Sequence, residues 1–248
     1  MPTPDDHFSA IANEYAAGRI SYPAALYQFL LSQVPAATLA WDAATGTGQA
    51  AEDLSRHFHK VIATDISNNL LGKADPNPKI EYKNSPSEKT DLPSDAATLI
   101  TVAQAIHWFE FEAFWKEVDR VLAPQGILAF WGYCWPQVTK PVDVTLEGIR
   151  NILGPYWPPR SQYLHNHYEE LRPPFEEIEA PKLELSESWT AENYMSHLKS
   201  WSGVRYHKEQ TKTDLVSDYE PRIRHLWGST ARPVTWPLIL KVYRKRSS

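Results

Sequence analysis

The sequence predicts an α/β fold: a mostly parallel sheet with helices on both faces. Three observations carry that expectation. Short apolar runs without polar alternation recur along the first half, as in AATLITVA at 96–103, which suits strands covered on both sides. Segments with helical spacing separate those runs, a rhythm that implies parallel strands with right-handed crossovers. A turn of small residues, A-T-G-T-G, follows the first run, where a strand hands over to a helix.

The elements follow in order. Residues 8–34 read as helices, FSAIANEYAAG and AALYQFLLSQV, with a break between Gly18 and Pro23. LAWDA (39–43) is a short buried strand, QAAEDLSRHF a helix and KVIATDI (60–66) the second strand. A short helix over 67–74 stops before Pro76, because the residue preceding a proline avoids the helical region. IEYKNS (80–85) is the third strand and AATLITVA the fourth. FEAFWKEVDRVL (111–122) is amphipathic, with Phe111, Phe114, Trp115, Val118 and Leu122 on one face. Pro124 and Gly126 end it, and ILAFWGY (127–133) is the fifth strand.

After residue 133 the rhythm changes. VDVTLEGIRNIL is helical, GPYWPPRSQY is a proline-rich loop and FEEIEAPKLELSESW is strand-like. ENYMSHLKSWSGV and DLVSDYEPRIRHLW are helical, and VTWPLILKVY closes the chain as a strand. With no repeat and no linker, 1–248 reads as one domain: a helical cover (1–38), a core (39–133) and an elaboration (134–248).

Composition narrows the function. The formal net charge of −5 argues against a nucleic-acid binder, and the basic stretch KVYRKRSS reads as a solvated strand end. The single cysteine, Cys134, allows no intrachain disulfide, and its apolar setting suits packing rather than nucleophilic chemistry. No run approaches the roughly 20 apolar residues that cross a bilayer. The start lacks a secretory pattern, so a cytoplasmic protein is expected. HFH (57–59) and HNH (165–167) lack a supporting acid or cysteine cluster and read as solvated histidines, with no metal expected. Ten Trp, 12 Tyr and 20 Pro, many of them in 131–240, suit the wall of a pocket for a small organic molecule.

The glycine corner gives the sharpest signal. Gly46 and Gly48 allow close backbone approach, and amide N–H groups at a helix start favour a negative group. Asp65 ends the next strand, 65 − 48 = 17 residues after Gly48, and an acid there can accept both hydroxyls of a ribose. A nucleoside cofactor at the carboxyl edge of the sheet follows. The corner reads D-A-A-T-G-T-G rather than G-x-G-x-x-G, so it is a poor cradle for a pyrophosphate.

This corner resembles motif I of the class I S-adenosylmethionine-dependent methyltransferases, D/E-x-G-x-G-x-G. HFSAIANEYAAGRISYP, SPSEKTDLP, TVAQAIHWFEFEAFW, RVLAPQGILAFWGY and VTWPLILKVYRK extend the likeness over nearly the whole chain. They resemble the small-molecule group that includes trans-aconitate methyltransferases. The resemblance implies a Rossmann-like seven-stranded sheet of order 3-2-1-4-5-7-6, with strand 7 antiparallel. It implies S-adenosyl-L-methionine as cofactor, with Asp42, Ala43, Ala44 and the Gly46–Gly48 turn at its methionine part. Asp65 would take the ribose, Ile66 the adenine face, and Ser87 and Glu88 the adenine edge. Ala103, Gln104 and His107 would lie where cofactor meets acceptor, and Tyr15 and Arg19 would cover the site. Ala44 replaces the first motif glycine and would narrow the corner, and APQG stands where the group has K-P-G-G.

Methyl transfer is an in-line displacement that needs alignment and exclusion of water, not a metal or a covalent intermediate. Trp108 and Tyr133, just past strands four and five, suit the wall of such a site, and Tyr168, Trp201 and Tyr206 are weaker candidates. His107 could take a proton from the acceptor or only position it. Tyr156, Trp157 and Arg160 form an aromatic loop whose arginine could fork onto a carboxylate. The expected function is methyl transfer to a small organic acceptor, a carboxylate among the candidates. A nicotinamide-dependent oxidoreductase and a non-catalytic cofactor-binding protein are the alternatives. No nucleic-acid or membrane partner is expected, and a monomer is preferred with oligomeric state open.

Overall fold

The computed structural model describes residues 20–247. The expected helix before Gly18, with Tyr15 and Arg19, lies outside the described residues.

The first half alternates as its periodicity demands. Helix α1 (Ala24–Gln33) leads into β1 (Leu39–Ala43), α2 (Gln49–Ser55), β2 (Lys60–Asp65), α3 (Asn68–Leu71) and β3 (Ile80–Asn84). Strand β4 (Ala97–Ala103), a 3-10 turn (Ile106–Trp108), α4 (Phe111–Val121) and β5 (Leu122–Gly132) complete it. Strand β1 pairs in parallel with both β2 and β4, and β5 adds to β4.

Adjacent residues of each central strand feed two separate cores. Ala40, Val61, Leu99 and Ala129 join one cluster, whereas Trp41, Ile62, Ile100 and Phe130 join the other on the opposite face. Both faces are therefore dry, which is why these runs carry no polar alternation.

The second half contains α5 (Lys140–Leu153), a 3-10 turn (Gly154–Tyr156) and α6 (Ser161–His165). Strands β6 (Glu176–Ile178) and β7 (Leu183–Trp189), helices α7 (Ala191–Lys199), α8 (Ser202–Thr211) and α9 (Leu215–Trp227), and β8 (Arg232–Arg244) follow. The sheet order is β3-β2-β1-β4-β5-β8-β6, with β7 also on β8 and β8 antiparallel to β5. This is the Rossmann-like order that the resemblance implied, with one difference from the expected seven strands. The sixth strand is interrupted, so β6 and β7 run one after the other along β8. Between Ile178↔Val242 and Leu183↔Leu238 the edge advances 183 − 178 = 5 residues while β8 advances 242 − 238 = 4. One extra residue is accommodated there, as in a bulge. The proline-rich stretch read as loop carries α6 and a 3-10 turn instead, because prolines at the first positions of a helical turn lose no hydrogen bond.

Candidate active site

Strand β1 delivers Asp42 to the carboxyl edge of the sheet, almost fully buried. Its carboxylate accepts from Thr45 Oγ1 at 2.5 Å and Thr101 Oγ1 at 2.7 Å. Burial outweighs these two bonds and pushes its pKa up to about 6, and the neighbouring Asp65 adds to the rise. The chain then turns through Ala44, Gly46 and Gly48, with φ of 53°, 60° and 87°. The two glycines differ in purpose. A methyl group at Gly46 would meet nothing within 4 Å, so that face is open; one at Gly48 would lie 2.5 Å from the Tyr82 hydroxyl. Thr47 Oγ1 is buried here without a hydrogen-bond partner among the described residues. A cleft of about 400 Å³ opens beside the corner, lined by Tyr22, Thr47, Gly48, Gln49, Asp53 and Tyr82 among others.

Asp65 ends β2, buried, and braces this turn. One of its oxygens accepts the Gly46 N–H and the other the Ser67 N–H, each at 2.8 Å. Ile66 follows with 40% of its surface exposed, although it continues an apolar strand. Asn84 Nδ2 pins the Ile66 carbonyl at 2.8 Å. Ser87 is buried nearby in sequence to Glu88, whose carboxylate accepts the Glu110 N–H at 3.0 Å and ties this loop to the start of α4.

Strand β4 ends at Ala103, and Gln104 adopts a left-handed conformation, φ 59°. Its N–H donates to the Trp131 carbonyl at 2.8 Å and its Nε2 to the Tyr133 carbonyl at 3.0 Å. Its Oε1 is buried with no partner among the described residues. A strained backbone and an orphaned acceptor at a strand end are features that cluster at functional sites. His107 is buried on the 3-10 turn, with Nδ1 3.4 Å from the Tyr168 hydroxyl and its ring beside Trp108. Burial, with smaller contributions from His165 and Arg160, drives its pKa down to about 3. Its imidazole is neutral throughout the physiological range.

Residues 41–130 match a family described as a methyltransferase domain. A Dictyostelium discoideum protein named as a methyltransferase is 34% identical over 238 residues, covering 93% of this chain and 90% of its own length. The chain belongs to the methyltransferase family. A solved type II methyltransferase from Anaeromyxobacter dehalogenans superposes with a TM-score of 0.87 at 33% identity, covering 92% of this chain and 99% of that one. A phosphoethanolamine N-methyltransferase of Haemonchus contortus, in complex with phosphomonomethylethanolamine and S-adenosylhomocysteine, shares the fold. Its TM-score is 0.53 at 13% identity, covering 100% of this chain and 61% of that one. The protein is an S-adenosylmethionine-dependent methyltransferase.

Around the residues expected to meet an acceptor, the structure of this methyltransferase redistributes the side chains. Arg160 is engaged: its guanidinium donates to the Phe109 carbonyl at 2.7 Å and pairs with Glu110 at 2.6 Å. It clamps the turn that carries His107, so the fork expected for a carboxylate is occupied. Tyr156 meets the ring of His207, and Tyr133 the ring of Trp236. Trp157 instead joins Trp135, His165 and Trp201 in one aromatic cluster, with ring centres 5.0–5.7 Å from it. Sequence reasoning missed Arg150, whose guanidinium lies 3.9 Å from the Trp135 ring centre. The signal was present: Arg150 sits four residues after Leu146 and one after Ile149, both buried on the apolar face of α5. Among the described residues no group of three or more His, Cys, Asp or Glu could hold a metal ion. None of the described helices is long and apolar enough to cross a membrane.

Proposed function

We propose that this chain transfers a methyl group from S-adenosylmethionine to a small organic acceptor, and that the whole chain, cover included, acts as one unit. The observation that carries the reading is the pair of acids at adjacent strand ends, Asp42 and Asp65, around a turn whose Gly46 face is open. The residues fit such a cofactor. Thr47 Oγ1 and Gln104 Oε1 are buried polar atoms without partners among the described residues, and Ile66 offers bare apolar surface. Asp42, Ala43, Ala44, Gly46 and Gly48 would hold its amino-acid end, and the buried Asp42 carboxylate favours a cation there. Asp65 would accept the ribose hydroxyls, Ile66 would lie on the adenine, and Ser87 and Glu88 would border it. Tyr15 and Arg19 would close the site from outside the described residues. When bound, S-adenosylmethionine would supply an electrophilic methyl group for in-line displacement.

The chain's own part is alignment and dryness. Gln104, His107 and Trp108 would line the junction with the acceptor, backed by Ala103 and Tyr133. His107 acts here as a positioner. Its conjugate acid is so weakened by burial that proton uptake near neutral pH has little driving force.

Calorimetry tests the cofactor assignment. S-adenosylhomocysteine should bind at micromolar concentration while NADP stays silent, and Asp65→Ala should weaken binding by about 1.5–3 kcal/mol, the worth of hydrogen bonds to a charged group. Binding of NADP alone, or unchanged affinity in that variant, contradicts the assignment.

A further inference from the structure

We propose that Arg150 reads an anionic group on the acceptor, and that the acceptor is a flat, largely apolar acid held by its acid end against the Trp135 ring. This rests on the methyltransferase reading above and names the substrate class of that site.

The first support is an unpaired charge. Arg150 is half-buried on α5, and its Nε is fully buried with no hydrogen-bond partner among the described residues. No ion pair or hydrogen bond holds its guanidinium among the described residues; its contact is the face of Trp135 at 3.9 Å, and the carboxylate of Glu147 acts on it only through space. Stacking on an indole is favourable, but it satisfies none of the N–H donors. A buried Nε–H without an acceptor is costly, and the ordinary partner for the planar fork it belongs to is a carboxylate or another oxyanion. Arg160, by contrast, has its partners.

The second support is what surrounds that charge. Trp135 meets Trp157, Trp201 and His165 with ring centres 4.7–5.7 Å away. All four residues are partly exposed, so solvent reaches the cluster. His165 is kept neutral by burial and by Arg150 itself, so among these five side chains Arg150 alone carries a full charge, with Glu147 near enough to act on it. An aromatic box without an arginine would suit a quaternary ammonium; one with an unpaired arginine repels a cation and favours a planar anion. The third support is position. Trp135 stands three residues beyond the end of β5, and His165 is close enough to His107 to depress its protonation. The cluster therefore borders the edge of the sheet where Gln104 and His107 lie.

Benzoate and cinnamate, each against its neutral amide, are the probes, with tryptophan fluorescence and calorimetry as readouts in the presence of S-adenosylhomocysteine. The wild-type chain should bind at least one acid roughly ten- to a hundredfold tighter than its amide, as charged hydrogen bonds require. Arg150→Met, which keeps the apolar stem, should erase that preference and leave S-adenosylhomocysteine affinity unchanged. Arg150→Lys should recover only part of it, because the planar fork is lost. Equal binding of acid and amide, no binding of either acid, tighter binding of phenyltrimethylammonium, or a preference that survives Arg150→Met overturns the proposal. S-adenosylhomocysteine binding to the same wild-type sample separates this failure from failure of the cofactor assignment. Should Arg150→Met not fold, the acid–amide comparison in the wild-type chain still decides.

Discussion

Two departures from the family's glycine pattern keep the glycine conformation without the glycine. Ala44 and Gln125 both sit at positive φ, 53° and 62°, where a Cβ crowds the following carbonyl. The sequence suggested that Ala44 narrows the corner; the larger consequence is conformational strain of about 1–2 kcal/mol, partly offset because alanine has less freedom to lose on folding. Ala44→Gly should accordingly raise stability by about 0.5–1 kcal/mol, or about 1–4 °C in Tm. A thermal melt of the variant that fell below the parent would show that the alanine methyl makes a contact worth more than the strain. His107 yields a second expectation at this scale. With its pKa near 3, His107→Ala should lower kcat by a factor that stays constant from pH 5.5 to 8.5. A factor that instead followed an ionisation near 6.5 would make His107 a general base. Asp65 was legible from its place at a strand end. Its grip on the Gly46 N–H was not, since hydrogen bonds across 19 residues leave no mark in a local pattern.

Elements of the first half were read to within a residue or two wherever both faces of a strand are dry. LAWDA is β1 as expected, and AATLITVA loses only its first residue. Strand β5 begins earlier than ILAFWGY, at Leu122, because Leu122 pairs with Ala97 across an irregular step, a tertiary contact that spacing cannot reveal. The last strand holds a similar case. Pro237 lies inside β8, where a missing N–H should break a ladder. Thr235 exchanges both backbone bonds with Gln137, at 2.8 and 2.9 Å, so Pro237, two residues on, turns its nitrogen to that same side. Strand β5 has left the ladder after Gly132, and the absent donor faces the resulting gap. Gly132 marks that departure. A methyl group there would lie 2.6 Å from Leu164, 2.7 Å from the Tyr168 hydroxyl and 2.8 Å from Gln104 Oε1. Gly132→Ala should cost about 1–3 kcal/mol of stability by overpacking and lower kcat more than Ala129→Gly does, because two of the displaced groups adjoin His107 and the β4 end. Urea midpoints and single-turnover rates measured together check this; a variant that lost stability but kept its rate would place Tyr168 and Gln104 outside the reacting geometry.

At the scale of the whole molecule, burial of neutral histidines ties stability to pH. His107, His165 and His197 are held near 3, 4 and 4 by burial, below their ordinary value of 6.5. Between those values the unfolded chain binds protons that the folded chain refuses, so stability is full above pH 6.5 and falls on acidification. Asp42 acts in the opposite sense. Its folded pKa, about 6, exceeds the ordinary 3.8, so the folded chain takes up a proton first and gains stability between pH 6 and 4. Three groups against one leave a net loss of at most about 3 kcal/mol per pH unit below 6, from 1.36 kcal/mol per unit and group. Urea midpoints should therefore drop from pH 7.5 to 6 and more steeply from 6 to 4.5. His197→Gln isolates one contribution. Trp201 Nε1 donates to His197 Nε2 at 3.3 Å, and a glutamine oxygen can accept in its place without titrating. That variant should flatten the acid slope while changing little at pH 7.5. A midpoint that held steady or rose at pH 4.5 would mean these imidazoles gain protons without unfolding, through water entering the aromatic cluster.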